Sequence, residues 1–254
     1  MDDDEYLNWN SESESDRSLG EYFRPSWPKT ISFRLRSRII SATAKPADSA
    51  HPNVLRLHVH DSVIQIVVQT LLRWLPSSLC SAVRTCLPEW TLPTDLILKK
   101  QKDGWEEEFD TEIAIYKKLR CLQGLVIPIC YGQVQYEGTR ALLLSDIGGA
   151  CVATAEGAIL KEADLRSLFD QALTALANQG ILHDDLKLDN FHLVDRAGSK
   201  IIMVVDLERI SELPLNKDRA SMVKGDVDWL MNAYREHLEC LKYDGKLLPP
   251  LSHI

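Results

Sequence analysis

Glycine is missing from a long stretch of this chain: none stands between Gly20 and Gly104, although the sequence has 12 in all. Glycine lets backbone amides approach a phosphate closely, so this stretch holds no ordinary glycine-rich phosphate loop. A Cys-x-x-Cys pair and a His-x-x-x-His are also lacking. The six cysteines, spread from Cys80 to Cys240, therefore spell no zinc site and read as buried free thiols. No apolar run reaches the length of a membrane span. Gly-x-Ser-x-Gly, His-Glu-x-x-His and the Walker loop are absent too, which sets aside the common hydrolases and metalloproteases.

Basic residues are outnumbered. Against 37 Asp and Glu stand 29 Lys and Arg, a formal net charge of -8. Neutralising phosphates requires a basic face, so neither nucleic acid nor an anionic membrane is the expected partner. With 254 residues, 45% hydrophobic and 26% charged, the chain can build one two-lobed domain or two small ones. Met1 to Glu5 is acidic and leads into no apolar run, so neither a secretory signal nor a mitochondrial presequence is expected. With reduced cysteines this points to the cytoplasm or nucleus. Residues 1–20 set Ser11, Ser13, Ser15 and Ser18 among acidic neighbours with little apolar content, the composition of a disordered, solvating tail.

Beyond the tail, Arg38 to Thr43 and Val54 to His60 alternate as half-buried strands do, so a small sheet is expected between Ile31 and Ile66. Residues 64–75 are apolar at mixed spacing and fit a helix or a buried strand. Asp95 to Lys99 reads as a strand ending in a lysine. Trp105, Phe109, Glu112, Tyr116 and Leu119 recur at helical spacing after Asp103-Gly104. Strands are expected at Leu125 to Tyr131 and Arg140 to Ser145, and Asp146-Ile-Gly-Gly149 follows as a flexible connection. Leu165, Leu168, Phe169, Ala172 and Leu176 then form a helical stripe that Gly180 stops. Phe191 to Val194 and Lys200 to Val205 form a hairpin about Asp195-Arg-Ala-Gly-Ser199.

Between that helix and hairpin lies His183-Asp184-Asp185-Leu186-Lys187-Leu188-Asp189-Asn190, and Asp206 closes the second strand. Phosphoryl transfer needs a carboxylate to orient the attacking hydroxyl, a cation near the moving phosphate and oxygen ligands for Mg²⁺. Asp185, Lys187 and the pair Asn190 with Asp206 supply these.

The loop resembles the catalytic loop of protein kinases, with an aspartate, a lysine two residues on and an asparagine five residues on. The resemblance implies an α+β, two-lobed protein-kinase-like fold: a small β-rich N-lobe over 21–146 and a reduced helical C-lobe over 147–254. It implies a catalytic Asp185, a phosphate-contacting Lys187, metal-binding Asn190 and Asp206, and a structural His183. Lys99 and Glu112 take the places of the phosphate-pairing lysine and its glutamate partner, and Asp226 that of the aspartate that anchors the loop from below. Asp206-Leu-Glu208 is similar to the Asp-Phe-Glu of short kinase-like proteins abundant in filamentous fungi.

ATP and Mg²⁺ are the implied cofactors, and a protein or small-molecule hydroxyl is the implied acceptor. The chain departs from the family in its missing glycines, where Leu79-Cys-Ser-Ala-Val83 offers small side chains instead. It departs again at Asp184, which replaces an arginine, and in the absence of an Ala-Pro-Glu after Asp206. Three functions remain open at this point: an active Ser/Thr-directed phosphotransferase, a small-molecule kinase of the aminoglycoside-phosphotransferase type, and a pseudokinase acting as a binding module.

Overall fold

The computed structural model of the chain describes residues 27–48, 51–72, 74, 76, 79, 83, 86–214 and 218–251. The acidic tail of residues 1–20 and the small residues Cys80, Ser81 and Ala82 lie outside them. Six strands build the first part of the fold: β1 (Lys29–Leu35), β2 (Arg38–Pro46), β3 (Val54–Val59), β4 (Asp95–Lys100), β5 (Cys130–Tyr136) and β6 (Thr139–Ser145). On β1, Ile31, Phe33 and Leu35 point inward and the residues between them outward; on β2, Ile40, Ala42 and Ala44 do the same. A strand with one wholly apolar face must bury it, and side chains alternate with period two.

Every neighbouring pair is antiparallel, in the order β1-β2-β3-β4-β6-β5, and Arg34 pairs with Gln135 to join β1 to β5. The sheet is thus a closed barrel with no free edge. It carries its own core, which includes Phe33, Ile40, Leu57, Leu98 and Leu143.

This architecture corrects the expected fold class. The chain is not a two-lobed kinase-like fold with a small β-rich N-lobe and a reduced helical C-lobe. It is an α+β protein built around a closed six-stranded antiparallel barrel, with two small sheets and four α-helices among the described residues. The physical reason lies in β1 and β2, whose unbroken alternation forms a long hairpin that reaches round to β5 and closes the sheet. Its turn is made without glycine, by Arg36 at φ 51°. That turn is tied down: Arg36 Nη1 donates to the Cys86 carbonyl (2.9 Å), Ser37 Oγ to Glu89 Oε1 (2.9 Å) and Arg38 Nη1 to the Glu89 carbonyl (2.8 Å).

The helices are α1 (Val63–Leu72), α2 (Glu106–Lys118), α3 (Glu162–Asn178) and α4 (Arg219–Tyr243). None is long and apolar enough to cross a membrane. The mixed run at residues 64–75 is therefore helical over α1. Residues 125–129, expected as the start of a strand, form a loop instead. Ile127 is fully buried there and the Val126 carbonyl accepts a bond from Val204 N (2.7 Å), so the apolar run packs without extending a ladder. The cysteines are free thiols where they are described, but Cys86, Cys121 and Cys240 are exposed and only Cys130 and Cys151 are half-buried.

A second and larger core lies outside the barrel. Leu142 and Leu144, on the outer face of β6, belong to one buried cluster with Phe109 and Tyr116 of α2, Phe169 of α3, and Val227 and Tyr234 of α4. Phe169 packs edge-on against Phe191, with ring centroids 5.2 Å apart. The small sheets are β10 (Ser199–Val204), β9 (Phe191–Arg196) and β7 (Ala150–Cys151), and β11 (Ile210–Glu212) with β8 (Ile181–His183). The chain passes from β6 to β7 through Gly149, at φ 71°. A Cβ there would lie 2.3 Å from the Leu193 carbonyl oxygen, so a side chain has no room.

Candidate functional site

One strand supplies the centre of the site. Along β4, Leu96 and Leu98 turn into the barrel while Ile97 and Lys99 turn outward against the second core. Lys99 Nζ meets three carboxylates: Glu112 Oε2 at 2.8 Å, Asp206 Oδ1 at 2.6 Å and Glu208 Oε1 at 3.0 Å. Glu112 comes from the face of α2 that also buries Phe109 and Tyr116, and it is fully buried itself. Asp206 follows β10 with its backbone at φ 59°, an uncommon conformation for a non-glycine residue. Leu207 next to it is buried in the large core, so Asp206 and Glu208 both face Lys99.

Burial alone would lower the pKa of Lys99, but the Glu112, Asp206 and Glu208 carboxylates outweigh it and hold the ammonium above the usual lysine range. For Glu112 burial prevails, and its carboxyl is pushed up despite Lys99. Burial also works to raise Asp206, yet Lys99 holds it below the ordinary carboxylate range. The Oε1 atom of Glu112 is buried with no hydrogen-bond partner.

A second group lies on the loop after β8. Lys187 Nζ is 3.0 Å from Asp185 Oδ1, and Asn190 Nδ2 donates to the Asp185 carbonyl (2.9 Å) and to its Oδ2 (3.3 Å). Leu188 to Asn190 form a short 3-10 turn, which brings Asn190 back over Asp185. The two groups are linked through the backbone. Val205 N donates to the Asn190 carbonyl (2.9 Å), and His183 Nε2 lies 3.3 Å from the Val205 carbonyl. His183 is buried, and burial pushes its imidazole below the ordinary histidine range against the pull of Asp206 and Asp185.

All six expected residues thus fall into two linked groups: Lys99 with Glu112 and Asp206, and Asp185 with Lys187 and Asn190. Two further members are Glu208 and Lys102. Glu208 Oε2 lies 2.8 Å from Lys102 Nζ, so this one carboxylate bridges two lysines. The signal for Glu208 was its place two residues after Asp206; Lys102, three residues after Lys99, had none.

Asp226, expected at the start of a helix, lies instead in the second turn of α4, whose N-cap is Asp218. Burial and the facing Asp184 carboxylate raise its pKa. Asp184 is held instead by Ser211 Oγ (2.8 Å), and its N–H donates to the Arg209 carbonyl (3.1 Å).

Oxygen ligands suit a hard cation. Glu112, Asp206 and Glu208 each offer an oxygen within 4.8 Å of the others, but the Lys99 ammonium already sits among them. Of the two residues expected to bind metal, Asp206 gives its Oδ1 to Lys99, while Asn190 directs its amide N–H groups to Asp185. No protein-family model matches this chain, and no curated protein matches it either.

Proposed function

We propose that this protein is an ATP- and Mg²⁺-dependent phosphotransferase acting on a hydroxyl of a protein or small molecule. A fold does not fix a function, so the site and not the barrel carries the reading. The observation behind it is the buried Lys99 ammonium, held by Glu112 and Asp206 beside the Asp185-Lys187-Asn190 loop. Lys99 would bind phosphate oxygens with Glu112 holding it in place. Asp206 and Asn190 would hold Mg²⁺, which supplies charge neutralisation along the phosphates. Asp185 would accept the proton of the acceptor hydroxyl as its oxygen bonds to the γ-phosphorus. The bond from that phosphorus to the β,γ-bridging oxygen breaks, and ADP carries away the electron pair. Lys187 would stabilise the charge on the moving phosphoryl group.

Thermal unfolding with and without MgATP tests the binding half. A ligand at a hundred times its Kd stabilises the fold by about 2.7 kcal/mol. The expected result is a raised midpoint that Asp206→Ala abolishes and Asp185→Ala keeps. Transfer of labelled γ-phosphate, to an acceptor or to water, should fall about 10²- to 10⁴-fold in Asp185→Ala. No shift at millimolar MgATP, or equal turnover in both variants, sinks the reading.

A binding module without phosphotransfer is favoured by one observation: the Asp185 carboxylate is already engaged by Lys187 and Asn190. On that reading the midpoint ignores MgATP, and partner binding survives both substitutions.

A further inference from the structure

Glu208 occupies a position that an anion could take. Its two oxygens lie 3.0 Å from Lys99 Nζ and 2.8 Å from Lys102 Nζ, and its side chain is only 6% exposed. Lys102, in the connection between β4 and α2, is 32% exposed and forms the side of the cluster nearest water. Its ammonium also lies 4.6 Å from the centroid of the Trp105 ring, and the Arg209 guanidinium lies 5.2 Å from the same centroid. Two ammoniums therefore share one carboxylate, and a third cation, Arg209, lies against the same ring as Lys102.

Lys99 has more carboxylates than one ammonium needs. Of the three, Glu112 is fully buried and has no other cation to turn to among the described residues. Asp206 makes the shortest of the three contacts, 2.6 Å, with Lys99. Glu208 alone lies within ion-pair distance of a second lysine, so its departure opens a place between two ammoniums. A carboxylate bridging two ammoniums presents what two oxygens of a phosphate chain would present, and lysine binds phosphate as a compact point charge.

We infer that Lys102 and Lys99 together form a polyphosphate-binding site, which the Glu208 carboxylate occupies as an internal stand-in until a triphosphate displaces it. This rests on the phosphotransferase reading for the identity of the ligand, and it makes Lys102 a phosphate ligand and Glu208 the group that limits affinity.

Titration calorimetry on the full chain tests it, with MgATP and inorganic tripolyphosphate as separate probes. Glu208→Gln keeps the shape and removes the competing charge. It should bind both probes about tenfold more tightly, a difference of about 1.4 kcal/mol. Lys102→Met should bind both about tenfold more weakly, with Lys102→Arg recovering part of the loss. Unchanged or weaker binding in Glu208→Gln overturns the inference, as does full affinity in Lys102→Met.

If Glu208→Gln fails to fold, the Lys102 arm decides, because that side chain lies at the rim. Tightening seen with tripolyphosphate but no binding of MgATP would leave the two-lysine site standing and remove the nucleotide. Wild-type MgATP binding that Asp206→Ala abolishes and Glu208→Gln does not tighten would do the reverse. No binding of either probe by any form overturns the site itself.

Discussion

Lys29 and Lys99 both lie on barrel strands and both hold a glutamate. Lys29 Nζ is 2.7 Å from Glu137 Oε1, and Lys99 Nζ is 2.8 Å from Glu112 Oε2. The distances hardly differ, but the surroundings do. The first pair has side chains 32% and 51% exposed, the second 8% and 0%. Water solvates and screens the outer pair, and either partner can lose the other at little cost. At the inner pair there is no water to take up a stranded charge, so Glu112 is committed to Lys99, while Lys99 also holds Asp206 and Glu208. Ion-pair length therefore says nothing about what a pair holds together; burial does.

The sharpest way to break that comparison is Lys99→Met. It would leave Glu112, Asp206 and Glu208 facing one another with only Lys102 nearby, and breaking a buried pair costs about 3–5 kcal/mol. Chemical denaturation should show that loss as a lower midpoint with an unchanged slope. Replacing Glu112 by Met as well removes the most deeply buried of the stranded charges, so the double variant should recover much of the loss. A non-additivity of about 0.5–3 kcal/mol is the expected signature. A loss below about 1 kcal/mol for Lys99→Met would mean that water reaches the cluster and that the inner pair behaves like the outer one.

His183 sharpens the comparison from another side, since it is a titratable group whose burial is relieved by losing charge and not by pairing. Its unfolded value is about 6.5. In the folded chain burial holds it lower, so between the two values the unfolded state binds more protons than the folded state. Stability then rises with pH across that window and is level above it. His192 works in the same direction, pushed down by burial and by Arg56. The two histidines should therefore make stability fall as the pH is lowered from neutrality, against the opposite contribution of the raised Glu112 and Asp226 carboxyls. His183→Gln should flatten that decline in denaturation midpoints measured against pH. A decline of the same steepness in the variant would place its origin elsewhere.

Much of the site was legible in the sequence because its parts are local. Asp185, Lys187 and Asn190 lie on one short loop, and a single 3-10 turn brings them together. Lys99 and Glu112 are joined by one strand, one short connection and a helix whose apolar spacing declares its buried face. The fold was less legible because closing the barrel depends on Arg34 meeting Gln135, a pairing that no local pattern encodes. Alternation shows that a strand has a buried face; it does not show whether the sheet closes or what covers the outside. The part of Glu208 in the cluster was half legible: its place two residues after Asp206 was visible, but its direction follows from Leu207 being buried against the large core. Asp226 was misplaced because the motif at Gly225 reads as the start of a helix, whereas α4 begins earlier, at the Asp218 cap. The carboxylate of Asp218 accepts from the N–H groups of Ala220 and Ser221, each at 3.2 Å, and by Gly225 the helix is already under way.

The smallest effect belongs to the outer pair. In Lys29→Met the Glu137 carboxylate loses its closest cation, but it is half exposed, and Lys100 Nζ still lies 4.0 Å away. Lys29 also lies 5.1 Å from the centroid of the Trp27 ring and 5.7 Å from that of Tyr136, contacts that a methionine chain replaces in part with its own apolar surface. An exposed pair is worth about 0.2–1 kcal/mol, so the denaturation midpoint should move by no more than that, and the small shift should fade as salt is added. A loss as large as that of Lys99→Met would mean that Lys29 holds the start of β1 in the barrel, making closure depend on an ion pair at its rim. A loss within the expected range leaves closure to the apolar residues behind it, Ile31, Phe33 and Leu35, which are buried while Lys29 is not.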